Sequence, residues 1–153
     1  MAHQKINIAE LTETLPIIFG AKVIQPIIIT GMTGGGKTAI SNTVIRTALT
    51  ADDIGFVTER LASRDACEVA GVALPFKDDQ GNLTTQNTKP PLITTIERTG
   101  KAYGVLLLDE LLQANTDMQK VLGDTLDPME HSIGGWQLPK GWIVIGTGNR
   151  TKD

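Results

Sequence analysis

Gly31-Met32-Thr33-Gly34-Gly35-Gly36-Lys37-Thr38 is the stretch on which the reading of this chain turns. It satisfies the phosphate-binding pattern G-x-x-x-x-G-K-[ST] and stands in the surroundings that pattern requires. The apolar run Pro26 to Ile29 ahead of it predicts a buried strand. Residues Lys37 to Leu49 behind it predict an amphipathic helix, with Ile40, Val44, Ile45, Ala48 and Leu49 on one face. A strand that feeds a glycine loop into a helix N-terminus aims several backbone N–H groups and the helix dipole at one anion. The glycines remove the Cβ atoms that would block close approach. Gly31 through Ala39 therefore form the candidate phosphate cradle. Within it Lys37 supplies a point charge for the terminal phosphates, and the Thr38 hydroxyl is placed to bind Mg2+. The expected ligand is a nucleoside triphosphate.

Farther along, Val105-Leu106-Leu107-Leu108 reads as a buried strand that ends in two carboxylates, Asp109 and Glu110. Ligands of open α/β sheets sit outside the carboxyl ends of parallel strands, so both acids are expected on the edge that carries the glycine loop. Asp109 suits the Mg2+ shell, directly or through water, because a hard cation prefers carboxylate oxygen. Glu110 suits the base that holds and polarises the water attacking the γ-phosphate. A further strand, Trp142 to Ile145, ends at Gly146-Thr147-Gly148-Asn149. With that strand between the other two, the Asn149 amide can reach the γ-phosphate or orient the water.

The bulk numbers fit this reading. At 153 residues the chain is long enough to bury a core, and 41% apolar with 20% charged residues excludes disorder and a membrane protein by composition. A net charge of −3 leaves no electrostatic footprint for wrapping nucleic acid. No signal peptide and no apolar run of membrane-spanning length is visible, so the expected compartment is the cytoplasm. The single cysteine, Cys67, excludes an internal disulfide and reads as a small buried apolar residue. His3 and His131 are too isolated for a metal site and default to surface or hairpin positions.

The remaining segments predict an α/β chain. Ile8, Leu11, Leu15 and Ile18 mark a helix over Ile6 to Phe19 that Pro16 should end or bend. Asp52-Asp53 marks a turn, Gly55 to Leu61 a strand, and Arg64 to Val69 a helical turn. Between Gly71 and Pro91 the composition becomes polar around Asp78-Asp79-Gln80-Gly81-Asn82, which has hairpin-turn chemistry and predicts an inserted hairpin or loop over about 74–91. Leu92 to Gly100 predicts a helix. Gln113 to Leu126 predicts another, capped at Asn115 or Thr116 and buried through Met118, Val121, Leu122 and Leu126. His131 to Leu138 predicts a hairpin at about 130–140, turning at Gly134-Gly135.

Taken in order, the glycine loop, Leu-Leu-Leu-Asp-Glu and Gly-Thr-Gly-Asn resemble Walker A, Walker B and sensor 1 of an AAA+ ATPase. The finer pattern resembles the MoxR-like branch, phage and prophage members included. Ser63-Arg64-Asp65 with Val69 to Pro75, the polar insert, and the Gly134-Gly135 hairpin before Leu138-Pro139-Lys140-Gly141-Trp142 carry that likeness. The resemblance implies a P-loop NTPase fold over residues 1–153, a three-layer αβα sandwich around a mainly parallel sheet. It implies ATP and Mg2+ as cofactors, Lys37, Glu110 and Asn149 as catalytic residues, and Thr38 and Asp109 as the metal's residues. It also implies a homo-oligomer, a hexameric ring in the full-length form, that hydrolyses ATP to remodel a protein client. Modules of this family continue past sensor 1 with a fifth strand, an arginine finger and a helical lid. On this reading the chain is a fragment, a truncation or the ordered part of something longer. Arg60, Arg64 and Arg98 are then candidates for contacts across an interface, whereas Arg150 directly follows the sensor and does not serve as the finger. The base is expected near Ile8 to Ala21. Two alternatives stand beside this one. A nucleotide-gated binding module would not hydrolyse, and a nucleic-acid motor is disfavoured by the acidic balance and by aromatics at only 4%.

Overall fold

A computed structural model of the chain describes residues 7–20, 25–32, 36–39, 42–43, 46 and 54–149. Thr33, Gly34, Gly35, Ile40, Val44, Ile45, Ala48, Leu49, the Asp52-Asp53 turn and Arg150 lie outside the described residues. Residues 37–39, 42–43 and 46 are helical, as the sequence predicts for the segment behind the glycine loop.

Helix α1 (Ile8–Gly20) precedes strands β1 (Ile27–Gly31) and β2 (Gly55–Arg60). Helix α2 (Ala66–Ala70), the hairpin β3 (Ala73–Lys77) and β4 (Leu83–Asn87), and helix α3 (Pro91–Arg98) follow. Then come β5 (Tyr103–Asp109), α4 (Thr116–Val121), α5 (Gly123–Leu126), the short hairpin β6 (Ser132–Ile133) and β7 (Trp136–Gln137), and β8 (Gly141–Asn149). Four strands form one parallel sheet in the order β1-β8-β5-β2. β8 thus lies between the strand of the glycine loop and the strand of the paired acids.

Parallel strands are buried on both faces, which explains the unbroken apolar run of β5. Alternation sorts its side chains into two layers. Val105 and Leu107, with Ile143, Ile145, Ile27, Ile29 and Phe56, pack against Leu11 and Leu15 of α1. Leu106 and Leu108, with Trp142, Val144, Ile28 and Val57, pack against Val69 of α2, Leu92, Ile93 and Ile96 of α3, and Met118 of α4. The result is the expected αβα arrangement. Each large aliphatic side chain buried in this way contributes about 1.5–3 kcal/mol. Among the described residues no helix is long and apolar enough to cross a membrane.

Several expectations are corrected. Of the two outcomes expected at Pro16, an end to the helix is overturned, because the residue lies inside α1. The ring sits on the exposed side, while Leu11 and Leu15 are buried against the sheet and Asn7 and Glu10 cap the helix reciprocally (Glu10 N to Asn7 Oδ1 2.9 Å, Asn7 N to Glu10 Oε2 2.8 Å). Tertiary packing outweighs the one lost backbone bond. The single helix predicted over Gln113 to Leu126 is broken. Gln113 belongs to a 3-10 turn (Leu111–Gln113), Asn115 caps α4 by accepting from Met118 N, and α5 restarts at Gly123. Cys67 is exposed, because Val69 and Ala70 take the inward positions of the short α2. Of the surface and hairpin positions expected for His131 it takes the second, buried at the mouth of the second hairpin, and its Nε2 has no hydrogen-bond partner among the described residues. Burial pushes its imidazole pKa down.

The largest correction concerns β8. It does not end at Ile145 but continues through Gly146, Thr147 and Gly148 to Asn149. A Cβ at Gly146 would stand 2.6 Å from Leu111, and one at Gly148 would stand 2.4 Å from Leu112. Those two glycines let the turn after Glu110 lie directly on the strand.

Trp142 places a similar demand lower in the sheet, where a Cβ at Gly104 would meet its ring at 2.6 Å and the Gly55 carbonyl at 2.7 Å. Gly104→Ala is therefore expected to destabilise the fold by about 1–3 kcal/mol, the usual cost of overpacking. Urea unfolding read by Trp fluorescence checks it. An unchanged midpoint would show that the ring does not occupy that space.

Candidate functional site

All four strands of the sheet point the same way, so their carboxyl ends share one edge. The register aligns Gly31 with Asn149, and Arg60 with Asp109, along that edge. A cleft of about 370 Å³ opens there, lined by Gly36, Lys37, Thr38, Ala39, Asp109, Glu110, Gln113, Thr147, Gly148 and Asn149. Lys37, Thr38, Asp109, Glu110 and Asn149, chosen from sequence, thus meet in one place. Met32 is exposed and outside the lining, and Gly31 contributes its carbonyl. Of the region assigned to the base, α1 is described and Ala21 is not.

Asp109 is the centre of the site. It is buried at the end of β5, on the face that carries Val105 and Leu107. Its Oδ1 accepts from the Thr38 hydroxyl at 2.7 Å and from the Thr147 hydroxyl at 2.5 Å. The Thr147 oxygen in turn accepts from the Glu110 N–H at 3.2 Å. Lys37 Nζ donates to the carbonyls of Gly31 (3.0 Å) and Met32 (2.6 Å), which folds its stem back along the loop. An ammonium has three donors, so among the described residues one is left for an anion in the cleft.

Glu110 is held in an uncommon way. Its backbone is left-handed at φ 58°, a conformation that costs a non-glycine residue about 1–2 kcal/mol. The bond to Thr147 and the acceptance of Gln113 N by its carbonyl at 3.0 Å fix the turn. Its carboxylate faces Arg60 at the end of β2, with Nε to Oε2 at 2.9 Å and Nη2 to Oε1 at 3.0 Å. That bidentate hydrogen bond, aided by the guanidinium charge and opposed by desolvation, lowers the Glu110 pKa below the usual carboxylate range. Arg60, read from sequence as an interface candidate, is thus engaged within the chain. Arg64 likewise binds Glu59 at 2.8 Å.

Two residues of the site were not singled out from sequence. Thr147 lies two positions before Asn149 on the strand, a spacing that puts it on the Asp109 face; the signal was present in Gly-Thr-Gly-Asn. Gln113 pairs its amide with the backbone of Asn149, accepting from its N–H at 3.0 Å and donating to its carbonyl at 3.2 Å. Reading Gln113 as the start of a helix concealed that contact.

No family model and no curated protein matches the chain. Solved structures do. The closed state of Hsp104 with ATPγS and FITC casein is similar at a TM-score of 0.60 and 20% identity, over 92% of this chain and 25% of that one. NtrX from Brucella abortus is similar at 0.52 and 19%, and its complex with ADP at 0.57 and 18%, each over 99% of this chain and 31% of that one. The chain spans about a quarter to a third of the length of these proteins. At such identities the likeness is one of fold. The chain has the α/β fold of AAA+ P-loop NTPases, with its four-stranded parallel sheet.

The Arg60 contact has a measurable consequence. Because Glu110 titrates below its ordinary pKa, the pair's stabilising effect is present above the ordinary carboxylate range and is lost as pH falls through the folded value. In Arg60→Ala the Glu110 pKa is expected to rise toward the ordinary value. A carbon-detected NMR titration of the Glu110 carboxyl reads this directly. Identical titration curves for the two proteins would show the ion pair absent in solution.

Proposed function

We propose that this chain is the nucleotide-binding core of a MoxR-like AAA+ ATPase that binds ATP with Mg2+ and hydrolyses it. One observation carries the reading. The ammonium of Lys37, the hydroxyl of Thr38 and the carboxylates of Asp109 and Glu110 face a common cleft at the carboxyl edge of a parallel sheet. Lys37 and the loop amides hold the terminal phosphates, and the helix that begins at Lys37 turns its dipole toward them. The insert at 71–91 and the Gly134-Gly135 hairpin support the MoxR-like branch, and with it a cytoplasmic ring of identical subunits acting on a protein client.

The residues present fit a magnesium ion. Thr38 Oγ1 and Asp109 Oδ1 are hard oxygen donors 2.7 Å apart. That suits Mg2+, which takes one or two protein oxygens, substrate phosphates and water. When bound, Mg2+ neutralises charge on the β- and γ-phosphate oxygens.

Glu110 accepts the proton of the attacking water, and the Asn149 amide, at the end of the central β8, orients that water or the γ-phosphate. The bond from Arg60 weakens Glu110 as a base, so proton transfer gains driving force as Arg60 withdraws. The same ion pair favours a second reading, a nucleotide-gated binding module that does not hydrolyse. A single chain is expected to turn over slowly, because an arginine from a neighbour contributes about a thousandfold or more in P-loop enzymes.

Two variants separate the readings. Lys37→Ala is expected to weaken binding of a fluorescent ATP analogue at least about tenfold, the loss of a charge-assisted hydrogen bond. Glu110→Gln is expected to bind normally and to hydrolyse about a hundredfold more slowly in single-turnover phosphate release. Turnover unchanged by Glu110→Gln removes the assigned base. Tight binding without phosphate release in the unaltered chain and in its longest natural form favours the non-hydrolysing module.

A further inference from the structure

The hairpin of β3 and β4 treats its two outer edges differently. Thr88 N donates to Val72 O at 2.8 Å and Asp78 N to Asn82 O at 3.0 Å, bracketing the ribbon. The register runs from Ala73 opposite Asn87 to Lys77 opposite Leu83. In an antiparallel ladder, hydrogen-bonded and non-hydrogen-bonded pairs alternate. Leu74 with Gln86 and Phe76 with Thr84 are therefore bonded pairs. The N–H and C=O groups of the remaining residues point to the outer edges. On β3 the central outward position is Pro75, which has no N–H, and a proline there blocks further pairing. On β4 the outward residues are Leu83, Thr85 and Asn87, and no proline guards them. Among the described residues no hydrogen bond from outside the hairpin reaches the backbone of Thr85 or Leu83.

The second hairpin turns this edge into a cleft. Asn87 Nδ2 donates to Gly134 O at 3.0 Å, and Trp136 Nε1 donates to Asn87 O at 3.2 Å. The Gly134 tip is pressed so closely against α2 that a Cβ there would stand 2.1 Å from Ala70 O. Between the two hairpins lies a space of about 440 Å³ lined by Thr85, Gln86, Asn87, Gly134, Gly135 and Trp136. None of these side chains is ionisable. Strand, sheet and residue spacings give an extended residue roughly 160 Å³, so the cleft holds roughly three residues of one strand.

We infer that the outer edge of β4 is a docking site for one extended, uncharged segment of a protein partner, bound by strand addition. Backbone donors and acceptors at strand spacing match another extended backbone and nothing compact. Thr85 and Leu83 exchange hydrogen bonds with the segment, while the Trp136 ring and the Gly134-Gly135 tip form the facing wall. Leu83, 75% exposed, meets its alternate side chains. The uncharged lining selects a neutral stretch, and the Lys89 ammonium, 5.5 Å from the Trp136 ring centroid, is paired with Glu97. A second copy of the chain would bring two strands where there is width for one.

The probe is an eight-residue peptide of alternating threonine and valine with blocked ends, titrated into the full isotope-labelled chain. The Thr85 and Leu83 amides are expected to shift and to gain exchange protection. N-methylation of alternate peptide residues, on the bonding side, is expected to weaken binding at least about tenfold, the loss of one or two backbone hydrogen bonds. Thr85→Pro should do the same without affecting a fluorescent ATP analogue, because its N–H is not used inside the hairpin; this separates the docking site from the nucleotide site. Should that variant misfold, the methylated peptide still decides the matter with the unaltered chain. Equal affinity of the two peptides, or shifts that avoid Thr85 and Leu83, would overturn the assignment. So would a peptide-free dimer that Thr85→Pro dissociates, since the edge would then belong to a second copy.

Discussion

The site depends on a buried carboxylate that must be satisfied. Asp109 sits at the end of a strand whose preceding residues are fully enclosed, and a charge in such a place is expensive unless hydrogen bonds compensate it. Its compensation comes from two hydroxyls on separate parts of the chain, Thr38 at the start of the loop helix and Thr147 near the end of β8. One oxygen atom therefore ties the glycine loop, the central strand and the acidic strand together. Thr147 passes the constraint on by accepting the Glu110 N–H, which helps to hold that residue in its left-handed turn. The cleft is shaped by the demand for partners at Asp109 before any ligand enters it.

That arrangement requires the turn after Glu110 to lie on β8, and a side chain at 146 or 148 would prevent it. The glycines on either side of Thr147 are thus as much a part of the site as the threonine. Gln113 completes the seam by pairing its amide with both backbone groups of Asn149. The end of β8 is then held from two directions, by the β1 register and by this side chain.

Much of this was legible in the sequence, for identifiable reasons. The run Val105 to Leu108 ending in two acids announces a buried parallel strand with chemistry at its tip, and both its burial and its place follow from that pattern. Gly134-Gly135 fixed the second hairpin, since both glycines adopt positive φ, at 56° and 82°. Periodicity failed where competing contacts set the outcome. Pro16 reads as a stop or a bend, yet the helix runs on through it with Leu11 and Leu15 packed against the sheet. Leu122 and Leu126 keep helical spacing across Gly123, so the break between α4 and α5 leaves no trace in the apolar pattern. Cys67 looks like a core residue by type, but a five-residue helix has few inward positions, and Val69 and Ala70 occupy them. The Arg60–Glu110 pair joins residues fifty positions apart through a strand pairing that no local signal encodes.

That pairing also explains how the edge of the sheet connects to the hairpin beside it. Arg60 closes β2, and the chain turns at once through Leu61 to Ser63 into α2. The turn is stiff. Arg64 is bound to Glu59, and the Glu68 side chain accepts from Asp65 N at 2.9 Å. Beyond α2, a Cβ at Gly71 would stand 2.3 Å from the Thr88 carbonyl, so the base of the hairpin is packed to contact. A guanidinium that grips Glu110 is thus anchored to a short, closely packed segment leading straight to β3. That segment joins the hairpin to the carboxyl edge of the sheet by contacts at both of its ends, Arg64 with Glu59 at one and Gly71 against Thr88 at the other.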